Sequence, residues 1–69
     1  MLLYMTTNTR AIPTGNIKKG DTIRANDAGE LKMVYRVESA RVAGYKIAIF
    51  NDGTQKALGH KSGLTTIYL

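Results

Sequence analysis

Runs of alternating apolar and polar residues, cut short by glycine beside Asn, Asp or Ala, constrain this chain more than any other feature. Thr22-Ile23-Arg24-Ala25 follows Lys18-Lys19-Gly20-Asp21. A longer run from Glu30 to Val42 follows Asn26-Asp27-Ala28-Gly29, and Tyr45-Lys46-Ile47-Ala48-Ile49-Phe50 lies between Ala43-Gly44 and Asn51-Asp52-Gly53-Thr54. A period of two places successive side chains on opposite faces of a strand, and glycine accepts the positive φ that tight turns require. The spacing therefore predicts an antiparallel meander of short strands. The 69 residues suffice for one domain, over 1–69, with a thin core.

Around this meander the signals are mixed. Leu2 to Thr6 reads as an edge strand or an ordered tail, and Thr7 to Asn16 as a loop with a brief extended piece at Arg10 to Ile12, because Pro13 cannot donate to a ladder. Gln55 to Gly63 holds two glycines, His60 and two lysines, which suits one short helical turn and a loop. Leu64 to Leu69 closes the chain as a strand. In Glu30 to Val42 the apolar positions pass from odd (Leu31, Met33, Tyr35, Val37) to even (Ala40, Val42), which predicts a bulge near Ser39. The resulting fold class is all-β: a barrel or half-barrel of four to six short antiparallel strands with at most one short helical turn.

Face assignment on the odd positions makes the expected core Ile17, Ile23, Ala25, Leu31, Met33, Tyr35, Val37, Ile47, Ile49, Leu58, Ile67 and Leu69. Arg24, Lys32, Arg36, Lys46 and Phe50 then point outward. Cations around one exposed ring are what a single-stranded nucleic acid needs for its phosphates and for base stacking. Those five residues are the expected nucleic-acid-binding face, the alternative being ordinary solvated strand surfaces.

Over Ile17 to Thr54 the order GDTIRA, a turn with Gly29, KMVYRVESARV, a turn and YKIAIFNDGT resembles the SH3-like small barrels, and among them the Tudor type. There a Gly-Asp pair opens the first strand, and a later strand ends in Phe before an Asp-Gly turn. The resemblance implies a barrel and, for methyl-reading relatives, an aromatic cage. Tyr35, Tyr45 and Phe50 would be its walls, with Leu31 to Met33 standing where an aromatic pair usually begins.

Ten Lys/Arg against five Asp/Glu give a formal charge of +5, which favours an anionic partner, either nucleic acid or an acidic protein surface. No Cys is present, so no oxidising compartment is required. No apolar run approaches bilayer length, and Met1 to Met5 lacks the length and basic flank of a signal peptide, so a cytoplasmic protein without membrane attachment is expected.

Nucleophilic catalysis needs Ser or Cys beside a base held by a third group, and metal catalysis needs several ligands at fixed spacing. Neither pattern is present, so no enzyme and no cofactor are expected. Lys56, His60 and Lys61, among glycines, form a candidate anion loop through backbone donors. A chain with so light a core and no disulfides gains from self-association, so a homo-oligomer that captures an anionic nucleotide is one functional class. The others are a nucleic-acid-binding module and a small accessory or inhibitor protein of the phage or mobile-element type that docks on a host protein through its sheet edges and Phe50. Salt dependence separates the nucleic-acid reading from an apolar or edge interface.

Overall fold

The computed structural model describes residues 8–69, so the strand or tail expected over Leu2 to Thr6 lies outside the described residues. Six antiparallel strands follow one another: β1 (Thr9–Pro13), β2 (Thr22–Arg24), β3 (Leu31–Ser39), β4 (Tyr45–Phe50), β5 (Gln55–His60) and β6 (Leu64–Tyr68). One 3-10 turn, Thr14–Asn16, joins β1 to the rest, and the described residues contain no α-helix. The sheet runs β1-β6-β2-β3-β4-β5, which is a meander from β2 to β5 with β6 returned between β1 and β2. It curls about β3, whose first residues pair with β2 and whose later ones pair with β4, and it does not close.

Local chemistry explains the corners. At Lys18 to Asp21 the Asp21 carboxylate accepts from the Lys18 backbone N–H at 3.0 Å and pairs with its ammonium at 3.2 Å. Gly20 N–H donates to Val34 O and Val34 N–H to Asp21 O, which fastens this turn to the middle of β3. Pro13 ends β1, an edge strand, where its missing donor costs no ladder bond. Next to it Thr14 is buried and shares a hydrogen bond of 2.7 Å with Thr65 Oγ1, joining the 3-10 turn to β6.

The core consists of Ile17, Ile23, Val34, Ala48, Phe50 and Ile67, with Ile12, Ala25, Val37 and Leu58 packed against it. Opposed residues in a ladder share a face. Ile23 lies opposite both Lys32 and Ile67, and Val34 lies opposite Phe50, so early β3 turns its even positions inward.

This corrects the expected faces. Leu31, Met33 and Tyr35 are 45–49% exposed, Leu69 is exposed, and Ile47 and Ile49 are only half-buried, whereas Val34, Ala48 and Phe50 are interior. Phe50, at 2% exposure, is the largest fully buried side chain. The physical reason is curvature. The concave side of a tight curl has room for a small residue at the centre of β4 and one ring at its end, while the bulkier Ile47 and Ile49 spread over the wider convex side.

The strand irregularity is also displaced. The β3–β4 register breaks between Val34 and Arg36, not near Ser39, and inward parity passes from even (Val34) to odd (Val37, opposite Ala48). A second break lies between Lys46 and Ile47, which face Gly59 and Ala57, leaving Leu58 as the extra residue. Gly59 has φ +94°, a backbone that suits a glycine bulge, so Gln55 to His60 is a bulged strand and not the expected helical turn. The only short helical turn among the described residues precedes β2 instead.

Candidate functional site

The open seam of the sheet is the place where chemistry-bearing residues gather. β5 ends the strand order, so its outer edge carries backbone N–H and C=O groups with no strand beside them among the described residues. Facing it is β6. Its β2 side is paired only at Ile67 and Tyr68, opposite Ile23 and Thr22, and among the described residues Leu64 to Thr66 have no strand partner on that edge. The turn Lys61 to Gly63 holds the two strands together at one end, anchored by Thr14 N–H to Gly63 O and Gly15 N–H to Lys61 O.

A cleft of about 400 Å³ lies in this seam. Arg24 and Lys56 bring two cations to its lining, and Thr65, Thr66 and Tyr68 bring three hydroxyls. Ile23 and Leu58 give it an apolar floor, exposed Leu64 stands at its rim, and among the described residues no carboxylate lines it. Neither cation is in an ion pair among the described residues, and the one hydrogen bond of Arg24 is a long contact of 3.4 Å to Asp27 O. Lys56 lies opposite buried Ala48, so its stem follows the core side while its ammonium reaches the rim. Cations without counter-ions at the mouth of a cleft attract anions.

The five residues expected to share one nucleic-acid face do not. Phe50 is in the core, where no base can stack on it. Lys32 is on the core side, and its ammonium contacts Asp52 Oδ2 at 2.7 Å and Thr54 Oγ1 at 3.1 Å, 6.0 Å from the centre of the Phe50 ring. The hydrogen bond from Lys32, followed by those from the Thr54 hydroxyl and backbone N–H, holds the Asp52 carboxyl well below the ordinary carboxylate range. The same hydrogen bond raises the Lys32 ammonium. Lys32 is thus neutralised locally. Arg36 is on the convex side, paired with Glu38 at 2.9 Å, and Lys46 is on the core side, 3.4 Å from Ser39 Oγ. Arg24 alone of the five reaches the seam.

The candidate anion loop is divided as well. Lys56 joins the seam, but His60 faces away from it, its Nδ1 accepting the Ser62 backbone N–H at 3.1 Å and its ring edge-on to Tyr45 at 5.2 Å. Gly44, with φ +84°, sits directly beneath: a Cβ there would lie 2.6 Å from His60 Nε2. His60 is therefore a packing group over the β3–β4 turn, and Lys61 belongs to the turn at the closed end of the seam. The proposed cage walls are likewise apart in role, with Tyr35 and Tyr45 on the convex side and Phe50 inside. Thr65, Thr66 and Tyr68 escaped sequence reasoning because a terminal strand of Thr and Tyr carries no functional signal of its own.

Among the described residues no group of three or more His, Cys, Asp or Glu is placed to hold a metal ion, and no helix is long and apolar enough to cross a membrane. Comparison with protein-family models, with curated proteins and with solved structures finds no match for the chain.

Proposed function

We propose that this chain is a non-enzymatic binding module of the SH3-like small-barrel kind, and that it holds an anionic partner at the open seam between β5 and β6. The observation that carries the reading is the composition of the cleft: Arg24 and Lys56 without counter-ions, three hydroxyls beside them, and no carboxylate in the lining among the described residues. The meander from β2 to β5 with β6 returned beside β2 supports the small-barrel part. The net charge of +5 supports the sign of the partner.

Fluorescence anisotropy tests this with two labelled probes, an oligothymidylate and a glutamate-rich peptide, each titrated at rising salt. Binding is expected at low salt and declines as salt releases counter-ions less favourably. Arg24→Ala with Lys56→Ala is expected to weaken it roughly tenfold, about what two rim contacts contribute. The proposal fails when neither probe binds at low salt, or when the double variant binds as tightly as the parent. Binding of the oligothymidylate alone assigns the seam to nucleic acid.

A further inference from the structure

We infer that the occupant of the seam is an extended acidic segment of another protein, which adds as a strand to the free edge of β5. The inference rests on the anionic-partner reading above and names the partner's chemistry.

A strand edge is a template: its unpaired amides and carbonyls bond an extended backbone, and charges beside it select which chain is accepted. Gln55 to Ala57 is the regular part of β5, before the bulge at Leu58 and Gly59, and the outer edge of the strand borders the cleft through Lys56, Ala57 and Leu58. Side chains of an added strand alternate between two sides. Lys56 and Leu58 lie on the core side, and Arg24 lies on the outer one, opposite Leu31. An acidic residue on either side meets a cation, and an apolar one meets Leu58 or Leu64.

Two rival occupants fit less well. A second copy pairing β5 to β5 antiparallel over Gln55 to Ala57 would bring the two Lys56 side chains near one another with no carboxylate in β5 to offset them, and like charges across a pair oppose association. A nucleic acid needs exposed rings for its bases, but among the described residues the one aromatic side chain in the lining is the half-buried Tyr68, and Phe50 is sealed in the core. Rows of backbone amides serve a peptide and leave bases without partners.

The experiment keeps the protein unaltered and varies the probe. A capped peptide alternating Glu with Val is titrated into the full chain, beside a version in which Lys replaces Glu, a fully N-methylated version and an oligothymidylate. Amide hydrogen exchange of Gln55 to Leu58 is followed by NMR. The Glu-Val peptide is expected to bind at low salt and to slow those amides about tenfold or more. N-methylation removes the donors a strand needs and is expected to abolish binding, as is replacement of Glu by Lys. Lys56→Ala is expected to weaken the parent peptide about fivefold.

Equal binding of the N-methylated and parent peptides, or binding without protection of β5, overturns strand addition while leaving anion capture intact. Oligothymidylate binding with no peptide binding does the same. Failure of every anionic probe removes the function together with the inference.

Discussion

Phe50→Leu separates a core ring from a stacking ring, because the first reading makes the change costly and the second leaves stability nearly unchanged. The ring is 2% exposed, faces Val34 at 1% across the β3–β4 ladder, and has the Lys32 ammonium 6.0 Å from its centre. Truncation to Ala would remove about 3–5 kcal/mol, close to the whole stability of about 3–10 kcal/mol expected for a domain of this length. Leu leaves a folded protein to measure. Its smaller volume costs about 1–2 kcal/mol, and loss of the cation over the ring adds about 0.5 kcal/mol. The midpoint of thermal unfolding should then fall by roughly 6–20 °C, since each kcal/mol moves a domain of this size by about 4–8 °C. Urea titration followed by circular dichroism gives the free energy directly. Tyr35→Leu, on the convex side at 48% exposure, is the paired control and should change stability by less than about 0.5 kcal/mol. Were Phe50→Leu neutral and Tyr35→Leu costly, the odd positions would be the inner face and every side-chain placement on β3 and β4 would be inverted.

Gly44→Ala should cost about 1–2 kcal/mol in the same urea assay, because φ +84° penalises a Cβ, and the cost should persist when His60→Ala removes the ring it would meet. Full recovery in that double variant would mean that contact with His60, and not backbone strain, sets the requirement for glycine. Thr14→Val leaves the Thr65 hydroxyl without its 2.7 Å partner and should destabilise by about 1–2 kcal/mol. Adding Thr65→Val should cost less than the sum of the two single changes, and strict additivity would refute the hydrogen bond. The Asp52 carboxyl has its folded-state pKa lowered by Lys32 and Thr54, so the stability it contributes is complete above the ordinary carboxylate value near 4 and is lost as pH falls below it. Asp52→Asn should flatten that acid limb in urea midpoints measured from neutral pH downward; an unchanged limb would place the titrating group elsewhere.

What the sequence made legible was the punctuation. Gly20, Gly29, Gly44 and Gly53 each occupy a positive-φ turn, and the elements between them are strands, so the all-β class and the meander follow from backbone needs that side chains announce plainly. Parity was not legible, since both sides of β3 and β4 are apolar. Leu31, Met33 and Tyr35 outweigh Val34, and Ile47 with Ile49 outweighs Ala48, when hydrophobicity is summed along a strand. Burial followed curvature instead: Ala48 fits the crowded inside of the curl, and Lys32 can occupy an inward position at the rim because Asp52 neutralises it there. Gly59 misled for a related reason, as glycine inside a strand pattern marks a bulge as readily as a break.

The seam stood half in view. Arg24 and Lys56 could be singled out one at a time as cations, but they belong to strands far apart in sequence, and nothing in residue type says that β2 is short enough to leave β6 uncovered. The length of β2 is what joins fold to function. Because its pairing with β6 ends at Ile23 and the strand itself one residue later, the edge of β6 from Leu64 to Thr66 stays open opposite β5 among the described residues. That opening brings an arginine at a strand end, a lysine opposite Ala48 and a row of hydroxyls around one cleft. A β2 longer by two residues would, in this register, set Ala25 and Asn26 opposite Thr65 and Leu64, cover that edge and narrow the cleft. The incomplete closure of the sheet is thus the physical condition for the cleft, and the proposed binding role rests on the strand that ends early.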